Sequence, residues 1–79
     1  MRPAPYFTNI YAAIKVMHYR YGIGDIQEIR QFADGRIEVT AKGYGMKPHT
    51  RRGTVSGESF GKRTIRLYGH RMTVNIIGG

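Results

Sequence analysis

The chain has 79 residues, with 13 Lys or Arg against five Asp or Glu, no cysteine, and a formal net charge of +8. One small domain fits that length and buries only a little over ~60% of its unfolded surface, which excludes barrel and doubly wound enzyme folds. The missing cysteine excludes a disulfide framework, a Cys-ligated zinc site and a thiol nucleophile.

Pro3 and Pro5 make the first residues extended. Thr8 then stands where an N-cap hydroxyl can accept an orphan backbone N–H. Phe7, Ile10, Ile14, Met17 and Tyr21 recur at helical spacing, predicting a helix over 9–21 with one apolar face. His18 is expected on its solvent side. Gly22 supplies a left-handed stop, and Arg20 lies in the last turn, where the helix dipole favours a cation. Asn9, Lys15 and His18 break this stretch as a signal peptide, and no apolar run approaches the ~18 residues of a membrane span. The expected location is the cytoplasm, with no membrane partner.

Residues 25–41 read as a hairpin closed by a two-residue Asp34-Gly35 turn. That register sets Phe32 opposite Ile37 and Arg30 opposite Val39, with Ile26, Phe32, Ile37, Val39 and Ala41 on one face. A helix competes for residues 25–34. Asp25-Ile-Gln-Glu28 has the pattern of a capping box, and Ile26, Ile29 and Phe32 are helically spaced. Arg36 to Thr40 is a strand that needs a neighbour, which favours the hairpin. Residues 43–61 are rich in glycine and contain Pro48, so they read as a flexible basic loop with at most a short strand near 54–56. The last segment alternates strictly. With a Gly69-His70 turn, Ile65, Leu67, Met72, Val74 and Ile76 face the core, while Thr64, Arg66, Tyr68, Arg71, Thr73 and Asn75 face out.

The expected fold is therefore α+β: one N-terminal helix packed on one face of a four- to five-stranded antiparallel sheet built from two hairpins. Two unpaired sheet edges would permit a homodimer through an edge strand.

Charge divides the chain. Residues 1–39 carry five basic and four acidic side chains, whereas residues 40–79 carry eight basic and only Glu58. The second half thus calls for an anionic partner, either nucleic acid or an acidic protein surface. Arg66, Tyr68 and Arg71 form the expected basic-aromatic face, because phosphates attract guanidinium groups and a flat ring can stack on an exposed base. Lys62, Arg63, Arg51 and Arg52 would clamp from the side. Lys42, Tyr44 and Lys47 would contribute contacts from the loop.

Known motifs fail on inspection. Lys42-Gly43-Tyr44-Gly45 opens like an RNA-recognition-motif signature, but Met46-Lys47-Pro48 replaces the apolar strand that must follow. Gly57 to Thr64 has the wrong spacing for a phosphate loop and leads into a strand instead of a helix. Tyr68-Gly69-His70-Arg71-Met72 resembles a short stretch of the bacterial Sm-like RNA chaperones, with Gly69 in place of a basic residue. The likeness covers five residues and assigns no family. The Gly78-Gly79 ending reads as a frayed terminus. His18, His49 and His70 lack metal-ligand spacing, so no metal and no cofactor is expected. An acid–base pair of His49 or His70 with Lys62 is the sole catalytic arrangement to consider, and the chain is read as non-enzymatic.

Two functions follow. The first is a small nucleic-acid-binding module. The second, by analogy of size and composition, is a phage-type, anti-CRISPR-like inhibitor or adaptor that docks on a host protein or nucleoprotein. Tyr11 and Tyr19 beside Lys15 would then be its anchors.

Overall fold

The computed structural model describes residues 5–57 and 61–77. The extended start at Pro3, residues 58–60 of the phosphate-loop-like stretch and the Gly78-Gly79 ending lie outside the described residues.

Element order is β1 (Tyr6–Phe7), α1 (Ile10–Tyr21), β2 (Asp25–Gln31), β3 (Arg36–Lys42), β4 (His49–Gly57), β5 (Lys62–Leu67) and β6 (His70–Ile76). The architecture is α+β, as expected. The sheet is larger than expected: six strands in the order β1-β6-β5-β4-β3-β2, strongly curled into a half-barrel. It is mixed, because β1 pairs parallel to β6 while the other neighbours are antiparallel.

The helix begins one residue later than a Thr8 cap would set. Asn9 is the N-cap, and its side-chain oxygen accepts from the Ala12 N–H at 2.9 Å. Ala13, Ile14, Met17 and His18 are fully buried, so the inward stripe runs along 13, 14, 17 and 18. His18 is therefore not on the solvent side. Tyr21, expected in the core, is 40% exposed. Gly22 ends the helix in extended backbone (φ −96°, ψ −178°) instead of the left-handed region. Its role is spatial, since a Cβ there would collide with the His18 imidazole.

The first hairpin forms, with a longer turn. The Gly35 N–H donates to the Phe32 carbonyl at 3.0 Å and the Phe32 N–H to the Arg36 carbonyl at 2.9 Å, giving a three-residue loop with Gly35 at φ +94°. The register slips by one, so Gln31, not Phe32, stands opposite Ile37, and Ile29, not Arg30, stands opposite Val39, which leaves Arg30 opposite Glu38. A bulge between Ile26 and Glu28 returns Ile26 to the core side opposite Ala41. Phe32 is left 36% exposed, with the Arg36 guanidinium over its ring. The helix reading of 25–34 is overturned by this ladder.

The largest correction concerns the loop expected over 43–61. Nine of its residues, His49–Gly57, are β4, a strand between β3 and β5 that takes in the short strand expected near 54–56 and extends well beyond it. Few apolar side chains mark it, because most of its positions are exposed and its helix side includes Gly53 and Gly57. Its first part, His49 to Thr54, pairs with β3, and its last part, Thr54 to Gly57, pairs with β5. Thr54 alone belongs to both ladders. This offset curls the sheet, and Gly53 permits the close approach: a Cβ there would collide with the Arg66 carbonyl oxygen.

The last hairpin keeps its predicted faces. Ile65, Leu67 and Val74 are buried, and Met72 and Ile76 pack against them. The turn, however, is Tyr68-Gly69, both at positive φ (58° and 76°), with Leu67 opposite His70. The pairing moves by an even step, so side-chain faces survive the change.

Candidate nucleic-acid interface

Cross-strand registers define what the outer sheet face presents. One row runs across four strands: Arg36, Thr54, Arg66, Arg71. The neighbouring row is Arg30, Glu38, Arg52. Thr40 and Thr50, and Thr64 and Thr73, join their hydroxyls across the sheet at 2.9 and 3.4 Å.

Among the described residues, charge is neutralised on one side of this face only. Arg30 pairs with Glu28 at 2.8 Å, Arg36 with Asp34 at 2.7 Å and Arg52 with Glu38 at 3.3 Å. The Arg36 backbone N–H, donating to Asp34, holds that carboxyl below its ordinary range. Arg66 and Arg71 stand directly opposite each other, with no described carboxylate in ion-pair contact with either. Like charges in that position destabilise a sheet. Beside them β4 and β5 diverge. Arg52, Gly53 and Thr54 form one wall of an open groove of about 690 Å³, and Arg66 to Arg71 form the other.

Tyr68 does not lie on the outer face with these arginines. The turn swings it towards the helix side, where His18 Nδ1 meets its hydroxyl at 2.5 Å. His18 Nε2 meets the Gly24 carbonyl at 2.7 Å, and that carbonyl only accepts. Nε2 thus carries a proton, and in the neutral imidazole Nδ1 then accepts from the Tyr68 O–H. Burial pushes the Tyr68 phenol above its ordinary value of 10.0, partly opposed by Arg51, so at neutral pH the hydroxyl keeps the proton it donates. A tyrosine at positive φ is unusual, since hairpin turns of this kind favour Asn, Asp or Gly. The buried imidazole holds it there.

The other expected site residues scatter. Arg51 lies on the helix side of β4, opposite Val39, while Arg52 lies on the outer side. Arg63 is on the helix side opposite Val74 and donates to the Lys62 carbonyl at 2.9 Å. Lys62 stands opposite Asn75 at the far end of the same hairpin, and Lys42 opposite Asp25 at the end of β3. Tyr44 is fully exposed in the turn before β4, three residues before the exposed Lys47. The groove therefore gathers Arg52, Arg66, Tyr68 and Arg71 from the expected set and leaves Arg51, Lys62, Arg63, Lys42, Tyr44 and Lys47 outside its walls.

Three contributors escaped the sequence reading. Arg36 and Thr54 complete the cross-strand row. His70 lines the groove and stacks on Tyr21, with ring centroids 3.7 Å apart. On the other side of Tyr68 is a second pocket of about 380 Å³, lined by Tyr21, Gly22, Ile23, His49, Arg51 and Tyr68. One available signal was His18, which falls one position past Met17 and four past Ile14, inside the apolar stripe.

No protein-family model matches this sequence, and no curated protein or solved structure is significantly similar to it.

The chemistry on offer is anion binding and ring stacking. His18 is occupied by Tyr68 and Gly24, and neither expected pair is assembled: His70 sits at the opposite end of its hairpin from Lys62, and His49 opens β4 opposite Ala41, whereas Lys62 lies next to Arg63, which pairs with Gly57 at the other end of β4.

Proposed function

We propose that this protein binds nucleic acid, seating phosphates on the cationic part of the outer sheet face where β4 and β5 diverge. The supporting observation is the Arg66–Arg71 pair: two guanidinium groups directly opposite, without a described carboxylate, on the rim of an open groove. Nothing in the core requires them, and their mutual repulsion is relieved when a phosphate lies between them. Arg52 adds a third cation from the facing wall. Such binding is sequence-tolerant, and it falls steeply with salt as counterions are released.

A salt-titrated binding assay on single-stranded and duplex RNA and DNA tests this. Reversing both charges (Arg66→Glu with Arg71→Glu) should weaken binding about 10- to 100-fold and flatten the salt slope by about 1 per arginine. Lys15→Glu, on the helix, should change affinity less than about twofold. Equal effects of the two variants, or a salt slope near zero, overturn the reading. The inhibitor-type alternative rests on a separate surface, where Tyr11, Val16 and Tyr19 are 44%, 38% and 63% exposed on the helix. Nuclease-treated capture that retains one stoichiometric protein, lost on Tyr19→Ala, would favour it.

A further inference from the structure

The two hollows flanking Tyr68 are joined by its ring. The open groove on one side is cationic, and the pocket on the other is aromatic. We propose that the pocket takes one unpaired base of a single-stranded nucleic acid, stacked against Tyr21, with the adjoining phosphate on Arg51. The inference rests on the nucleic-acid reading and narrows its substrate to single strands.

Four observations converge on it. His70 covers Tyr21 in a near-parallel stack (interplanar angle 10°), and Tyr21 also lines the pocket, so a base entering there extends an existing stack by one ring. Ile23, 63% exposed, supplies an apolar wall that no described residue covers. Arg51 is exposed in the same wall and has no described carboxylate partner. Tyr68 is held at φ +58° by a hydrogen bond to fully buried His18, so the shared wall is fixed before any ligand arrives. The pocket volume, about 380 Å³, is at the small end of the range for ligand sites, which suits one nucleotide and not a helix. A duplex has no free base face to offer, whereas a single strand can turn one base inward while its phosphates continue along Arg66 and Arg71.

Fluorescence anisotropy with two labelled probes, a thymidine 10-mer and an abasic 10-mer of equal charge, separates this from phosphate binding alone. The wild type is expected to hold the base-bearing probe about five- to tenfold more tightly. Tyr21→Leu should bring that ratio towards one. Ile23→Asp alters a solvent-exposed position, so folding is preserved, and its carboxylate should abolish the preference as well. Lys15→Gln should leave the ratio at its wild-type value. Equal binding of both probes by the wild type overturns the pocket and leaves the cationic groove standing. A preference that persists in Ile23→Asp also overturns the pocket. Failure of both probes to bind overturns both readings.

Discussion

The two halves of the outer sheet face carry similar side chains and differ in how they are paired. On β2 and β3, each arginine has an acid within reach: Glu28 for Arg30 and Asp34 for Arg36. Glu38 lies between Arg30 and Arg52 and binds the latter. On β5 and β6, Arg66 faces Arg71 across the ladder. The first half is a solvated surface whose charges cancel, and exposed pairs of this kind contribute little to stability. The second half keeps a local repulsion. A net charge speaks only to the whole molecule; the pairing is the reason the anion is proposed to sit at Arg66 and Arg71.

Thr54 and Gly53 hold the two halves together, so the largest effect is expected there. Gly53→Val should cost about 3 kcal/mol in urea unfolding, because its side chain has no space against the Arg66 backbone and the halves cannot close on each other. If the loss is negligible, the curl does not depend on that approach. Next is His18→Ala, expected to cost about 2–3 kcal/mol through a core void and a released Tyr68 hydroxyl. The Tyr68 turn should then become mobile in amide exchange, while the β2–β3 turn stays as it is.

Binding sharpens the contrast between the halves. Arg71→Glu should weaken nucleic-acid binding about tenfold, whereas Arg30→Glu on the neutralised half should change it less than about twofold, as read by anisotropy at fixed salt. Comparable losses would mean that the pairing pattern does not locate the site. The smallest effect is expected from Asp34→Asn in the exposed first turn. Asp34 titrates below its usual range, so the stabilisation from its ionised form is present above about pH 3.8 and lost as pH falls through the lowered value. Wild type and Asp34→Asn should differ slightly near neutrality and converge in acid.

Much of this protein is legible from side-chain periodicity. The α1 helix and the strand cores of β3, β5 and β6 follow from apolar spacing, which buries the same residues whatever the turn between them. The last hairpin illustrates the point: the turn moved by one residue, yet Ile65, Leu67, Met72, Val74 and Ile76 kept their side. The basic outer position of Arg66 and Arg71 came with that alternation. β4 was not legible, since its apolar content is low and its glycines read locally as loop. A strand so built forms only because β3 and β5 offer their edges to it.

The site divides in the same way. The excess of positive charge in residues 40–79 and the face of Arg66 and Arg71 are properties of sequence, because composition and a two-residue period need no tertiary information. Which of those charges remain unneutralised, and that Tyr68 turns inward to His18 instead of lying beside the arginines, were decided by the tertiary structure. Pairing and hydrogen bonding join residues as far apart in the chain as His18 and Tyr68, and only the packed sheet and helix bring them within reach.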